Sequence, residues 1–195
     1  MTNSRTVLVL LLAGAVGLGV LFYVLPRQSS TDLEKVSEAS SFELTDVDRA
    51  AEKVANGSNP MEGVKELLAM VEKDSTNVEA QLYLARFAVQ SGQYDKALAR
   101  YQTITRVAPE SIDGWWELAS LYFETGKSAE AEPLFGKVLE LDPESTNALF
   151  FQGKCVELNG DTARALELYE AFLPYAPDSA VQIGVERIIN ELKTK

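Results

Sequence analysis

A register of 34 residues runs through the middle of the chain three times without a gap, over Val78–Ser111, Ile112–Ser145 and Thr146–Ser179. Each block places Gly at the same point (Gly92, Gly126, Gly160), then Ala (Ala97, Ala131, Ala165), an aromatic ring (Tyr101, Phe135, Tyr169) and a closing Pro (Pro109, Pro143, Pro177). A fixed period of this length means stacked supersecondary units, each too small to bury its apolar face alone. The spacing inside a block predicts two helices. The first packs through positions four, seven, eight and eleven: Gln81, Leu84, Ala85 and Ala88, then Trp115, Leu118, Ala119 and Tyr122, then Leu149, Gln152, Gly153 and Val156. Small residues at position eight let the paired helices lie close. The Gly serves the turn between them, and the Pro stops the second helix.

The stack needs ends. Residues 42–77 read as a degenerate helical hairpin: Thr45 and Asp48 resemble a capping box ahead of Val47, Ala50, Ala51 and Val54, and Asn59-Pro60 opens a second helix with Met61, Val64, Leu67, Leu68 and Val71 on its apolar face. Residues 180–195 form a capping helix with a stripe of Val181, Val185, Ile188 and Leu192. Two prolines fall inside predicted helices. Pro133 removes a hydrogen bond one turn into the second helix of the middle block, and Pro174 ends or kinks its helix early.

Ahead of the helical part, a tail (1–6) leads into Val7–Leu25, 19 residues without a charge. A helix of that length is about 28 Å long, close to the thickness of the hydrocarbon core. Arg5 precedes it, and Phe22, Tyr23, Pro26 and Arg27 close it. A cleaved signal peptide would have a shorter apolar stretch and a small-x-small site, so the segment reads as an uncleaved transmembrane anchor. Residues 26–41 are polar and read as a flexible tether. Lys/Arg counts on the two sides nearly tie. The short N-terminal tail favours a single-pass protein with its repeats on the extracytoplasmic (periplasmic) side, the cytoplasmic face being the alternative. Ala13/Gly17 and Ala15/Gly19 have the spacing that lets membrane helices pair, so a homo-oligomer is open.

Net charge is −11, and Arg5 is the one charged residue before Arg27, so the part beyond the apolar segment holds the whole acidic excess. That balance speaks against a nucleic-acid partner, which needs clustered Lys and Arg. There is no His, and Cys155 is the one cysteine. No disulfide within the chain and no Cys/His metal site is possible, and the commonest general base is missing. The residues point to no catalytic group, cofactor or metal. Cys155 reads as a small packing residue.

The repeated pattern resembles the tetratricopeptide repeat. Trp115, Leu118, Ala119, Tyr122, Gly126, Ala131, Phe135 and Pro143 occupy its signature positions in the middle block, with Val138 for the usual Ala. Gln81 and Leu149 stand for the Trp in the outer blocks, and Ile104 and Phe172 for the second-helix Ala. The resemblance implies an all-α, right-handed superhelix of stacked hairpins whose first helices line a concave groove for a peptide or partner helix. It places Leu82, Trp116 and Phe150 (position five), Arg86, Ser120 and Lys154 (position nine), and Val89 and Phe123 (position twelve) in that groove. The ladder suits an amphipathic or aromatic-bearing protein segment with acidic groups; the alternative is that the rings shield neighbouring helices. Position nine lacks the Asn of relatives that clamp a terminal carboxylate. The expected role is a membrane-tethered, non-catalytic interaction adaptor or assembly factor. An assembly chaperone in cytochrome c biogenesis or another envelope complex, and a structural subunit of a larger membrane complex, are the alternatives.

Overall fold

A helix leaves its first N–H groups without partners, and most helices here begin beside a side chain that supplies one. In the computed structural model, which describes residues 44–57 and 59–194, α1 (Asp46–Asn56) starts with a complete capping box: Thr45 accepts from the Asp48 N–H, and Asp48 accepts from the Thr45 N–H. Asn77 caps α3 (Val78–Gln90), Ser111 caps α5 (Ile112–Glu124), Asp161 caps α8 (Thr162–Phe172) and Asp178 caps α9 (Ser179–Lys193). Pro60 begins α2 (Pro60–Lys73), where its missing N–H costs nothing. The remaining elements are α4 (Tyr94–Val107), α6 (Ser128–Leu141), α7 (Thr146–Leu158) and a 3-10 turn at Leu173–Tyr175.

The chain folds as a superhelix of hairpins, α1–α2, α3–α4, α5–α6 and α7–α8, each packed on the next, with α9 laid on α8. Inside three hairpins the turn is closed by glycine in the left-handed region: Gly92, Gly126 and Gly160 have φ of +72°, +76° and +90°. The residue after each Gly reaches back five residues, as Gln93 N–H does to the Ala88 carbonyl at 2.8 Å. A Cβ at these glycines would touch nothing, so backbone conformation, not space, demands Gly.

The core lies between the paired helices. Tyr101, Phe135 and Tyr169 are its largest side chains, at most 1% exposed, and Ala85 and Ala119 are fully buried opposite them. Gly153 takes that place in the third repeat, and a Cβ there would sit 3.1 Å from the Tyr169 ring. Position three of the first helices is also interior, as Ala80, Gly114 and Ala148, facing the preceding hairpin.

Position four shows how the repeats are tied together. The Trp115 indole N–H donates to the Pro109 carbonyl at 2.8 Å, in the loop before its own helix. Gln81, in the equivalent place, keeps the same kind of bond, its amide donating to the Ser75 carbonyl at 3.3 Å. Leu149 has no donor to offer. A cavity of about 400 Å³ opens beside it, walled by Pro143, Glu144, Ser145, Thr146 and Tyr175.

Several details differ from the sequence-based expectations. On α2, Val64 and Leu67 are buried, but Met61 and Leu68 stand 52% and 42% exposed, on the side away from α1 and α3, the helices that chiefly cover it among the described residues. The buried stripe of α9 is Val185, Ile189 and Leu192, with Val181 and Ile188 at its edge; Val185 and Leu192 lie on the expected face, and Ile189 takes the buried place expected of Ile188. Pro133 sits within α6, which continues past it, whereas α8 stops at Phe172 just before Pro174 and tightens into the 3-10 turn. The tail 1–6, the expected anchor 7–25 and the tether 26–41 lie outside the described residues. Among the described residues no helix is long and apolar enough to cross a membrane.

Candidate functional site

Residues separated by four and then three share one face of a helix. Leu82/Arg86/Val89, Trp116/Ser120/Phe123 and Phe150/Lys154/Glu157 therefore form one stripe on each of α3, α5 and α7. The structure brings these side chains together, but in different states of burial. Leu82 is in the core at 9% exposure, and Val89 is half-buried against the same cluster. Trp116, Ser120, Phe123, Phe150, Arg86 and Lys154 are half-buried.

The rings of the stripe are joined to the interior. Trp116 meets Phe135 and Phe151 edge-on, at centroid separations of 5.5 and 5.8 Å. Phe123 meets Phe151 at 5.3 Å, and Phe135 stacks on Phe151 at 5.6 Å. Phe150 continues the chain to Phe151, Tyr169 and Phe172. Each favourable pair adds about 0.5–1.5 kcal/mol beyond burial. The aromatic surface over the second and third repeats is thus rigid and largely filled by its own rings. Phe151 at its hub escaped the sequence argument, which assigned no role to position six.

The two cations are engaged. Arg86 donates to Glu117 at 2.6 Å across the α3–α5 boundary, and Lys154 donates to Glu157 at 2.9 Å within its own helix. Partial burial lowers the pKa of the Arg86 guanidinium, but the bond to Glu117 and the charges of Glu117 and Asp113 outweigh it and leave the pKa raised.

Both carboxylates also receive a buried phenol. Tyr101 donates to Glu117 at 3.3 Å and Tyr169 to Glu157 at 2.6 Å. Burial first, and then the neighbouring carboxylate, pushes both phenols up. The carboxylate comes from position six of the next repeat in one case and from position twelve of the same repeat in the other. In the middle repeat both of those positions hold phenylalanine, Phe151 and Phe123, the tyrosine is Phe135 and the cation is Ser120. Tyr–Glu–cation and Phe–Phe–Ser are alternative, internally consistent ways of finishing the same site. Arg86 and Lys154 therefore hold a structural carboxylate in place and leave little charge for a ligand.

Cys155 is fully buried in the α5–α7 cluster, and burial, with Glu132 adding to it, pushes the thiol up to about 11. It is a packing residue.

A second concavity lies at the N-terminal end of the stripe, between α1 and α3. Its inner part, about 190 Å³, is walled by Val54, Leu67, Tyr83 and Phe87, and its outer part, about 380 Å³, by Leu44, Asp48, Glu52 and Asn56. Ala51, Ala55 and Tyr83 belong to both.

A family model described as the tetratricopeptide repeat matches residues 82–145 and again 117–180, together about half of the 195 residues. Superkiller complex protein 3 of Mus musculus is 26% identical over 114 residues, 57% of this chain and 7% of that protein. BBSome complex member bbs-4 of Caenorhabditis elegans is 27% identical over 122 residues, 61% of this chain and 26% of that protein. The chain thus spans a small part of the length of the curated relatives it matches. Among solved structures, MamA superimposes with a TM-score of 0.60 at 18% identity, over 72% of this chain and 82% of that one. YrrB, described as a TPR protein with an unusual peptide-binding site, superimposes with a TM-score of 0.65 at 19% identity, over 83% of each. At such identities the structural likeness speaks for the fold alone.

Proposed function

The chain belongs to the tetratricopeptide repeat family, and we propose that it is a membrane-tethered adaptor that holds a protein segment along the stripe of its first helices. The observation that carries this reading is the stripe itself: one face of α3, α5 and α7 that presents half-buried rings at Trp116, Phe123 and Phe150, with its cations already neutralised. Large rings fixed before binding lose little freedom on contact and make strong anchors. The peptide-binding description of YrrB supports the reading by analogy. Residues 7–25 supply the anchor and 26–41 the reach, with the repeats on the extracytoplasmic side. Tethering raises the local concentration of whatever the stripe holds.

Ser120 lies midway between Trp116 and Phe123, and Ser120→Arg puts a long charged side chain across the stripe without removing a core ring. Affinity capture from detergent-solubilised native membranes is expected to retain at least one protein with the wild type and to lose it with Ser120→Arg at unchanged helix content. An identical retained set from both proteins removes the adaptor role from this stripe. It would favour a second reading, a structural subunit, for which the self-packing of Trp116, Phe123, Phe150 and Phe151 is the relevant observation. Extraction of membranes with alkaline carbonate tests the anchor: release of the full chain into the supernatant would refute it.

A further inference from the structure

The register that fixes the three repeats also runs backward. Thirty-four residues before Leu82, Arg86 and Val89 stand Asp48, Glu52 and Ala55, and α1 occupies the place of a first helix in its hairpin. The stripe therefore has a fourth member at its N-terminal end, of different chemistry. Where α5 and α7 carry rings, α1 carries two carboxylates and an alanine. All three residues line the α1–α3 cleft. No ring from α1 fills this end, and among the described residues the space is open down to Leu67 and Phe87.

The inner space of about 190 Å³ exceeds the roughly 150 Å³ apolar cavity that accepts a benzene ring. It takes one large apolar side chain. The rim decides what flanks that side chain. Asp48 is held by the Thr45 N–H at 3.0 Å and by its hydroxyl at 2.9 Å, while Glu52 is exposed and forms no ion pair among the described residues. Arg86, at the inner wall, is neutralised by Glu117 at 2.6 Å. An apolar floor beneath a net acidic rim selects a basic flank.

We propose that the α1–α3 cleft is a docking site for a protein segment carrying one bulky apolar or aromatic side chain flanked by Lys or Arg. The proposal rests on the adaptor reading and names the chemistry of the partner. Charge argues against two other occupants. Residues 28–43 hold Asp32, Glu34, Glu38 and Glu43 against a single Lys35, so the chain's own preceding segment meets the rim with like charge. A second copy brings a net charge of −11.

The test uses the full chain in detergent micelles and a fluorescein-labelled hexapeptide with a Leu-Phe centre between paired lysines, read by fluorescence polarisation. Its twin carries glutamate in place of lysine. The lysine peptide is expected to bind, to weaken with salt, and to bind about tenfold more tightly than the twin, as roughly 1.4 kcal/mol of charge complementarity would give. Ala55→Trp fills the cleft from an exposed position and is expected to weaken binding at least about tenfold; Glu52→Lys, a surface change that leaves the fold intact, weakens it several-fold. Equal affinity for the two peptides, binding indifferent to Ala55→Trp and Glu52→Lys, or no binding of either peptide would each overturn the proposal. So would a tightening of about tenfold by Phe42→Ser, which would make the chain's own segment the occupant, or binding only by a dimer in sedimentation equilibrium. Loss of the peptide on Ser120→Arg with full retention on Ala55→Trp would overturn the cleft and leave the adaptor reading standing.

Discussion

Phe135→Tyr adds one oxygen to the centre of the stack, at a position where both neighbouring repeats already carry tyrosine. By repeat consensus the change looks harmless. The structure says it is not. Phe135 is fully buried, and the two places from which a carboxylate reaches Tyr101 or Tyr169 are occupied here by Phe151, stacked at 5.6 Å, and Phe123, edge-on at 6.5 Å. The new hydroxyl meets Phe123 and Phe151 where its counterparts in Tyr101 and Tyr169 meet a carboxylate. A buried hydroxyl without a partner costs about 1–3 kcal/mol, and the extra atom adds crowding of similar sign. Urea unfolding followed by far-ultraviolet circular dichroism is expected to show the unfolding free energy falling by that amount, read as a lower midpoint at an unchanged slope. The double variant Phe135→Tyr/Phe151→Glu restores the acceptor seen in the first repeat. Phe151→Glu alone is expected to be destabilising, because it puts a carboxylate without a donor into the half-buried ring cluster. The pair is therefore expected to show a favourable coupling energy of about 1–3 kcal/mol in a double-mutant cycle. Conversely, Tyr169→Phe is expected to cost about 1–2 kcal/mol, since Glu157 keeps Lys154 and some water. A neutral Phe135→Tyr, or additive effects in the cycle, would refute the idea that ring and carboxylate are matched across the repeats.

Three further outcomes follow from the same geometry. Leu149→Trp fills part of the 400 Å³ cavity and offers an indole N–H to the Pro143 carbonyl, as Trp115 does to Pro109; it is expected to raise stability by about 0.5–2 kcal/mol in the same urea assay. Gly126→Ala forces an L side chain to a φ of +76°, with an expected loss of about 1–2 kcal/mol although the site has room for the methyl group. The Cys155 thiol keeps its proton up to about pH 11 when folded, whereas in the unfolded chain it ionises from about pH 9. The unfolded state therefore binds fewer protons in that window, and stability falls with rising pH between those values. Cys155→Ala is expected to flatten the decline at its lower end, with the buried Tyr101 and Tyr169 phenols accounting for what persists above it. The wild-type thiol should react with a disulfide reagent at neutral pH only as fast as the protein opens.

The helical hairpins and their order could be read from spacing because the period repeats three times, and each turn glycine is fixed by backbone conformation. The capping box at Thr45 and Asp48 and the early stop before Pro174 were legible for the same local reasons. What spacing could not give was the third dimension of the ring cluster. Position six holds Tyr83, Glu117 and Phe151, which no single residue class describes, so neither the hub at Phe151 nor the Arg86–Glu117 bond could be assigned from one repeat alone. Ile189 was missed because two adjacent isoleucines both suit an apolar stripe, and only the tilt of α9 on α8 chooses between them.

The N-terminal hairpin shows most clearly why sequence pattern underestimates a site. A repeat is recognised by residues that shape it: the turn glycine, the small residue in the hairpin, the core ring. Residues 44–77 lack most of these, so the hairpin reads as a cap whose task is to cover apolar surface. Yet the features that make it a poor match are those that leave room. Without a ring from α1, no side chain among the described residues plugs the gap above Leu67 and Phe87; with Glu52 and Asp48 on the stripe, the gap acquires a sign. The middle repeats, which match the family best, have spent their stripe on packing themselves together. Degeneracy at one end and self-filling in the middle are complementary results of the same register. Comparison of Ala55→Trp with Ser120→Arg, each placed in its own part of the stripe, therefore separates a molecule that binds where its pattern is strongest from one that binds where its pattern breaks down.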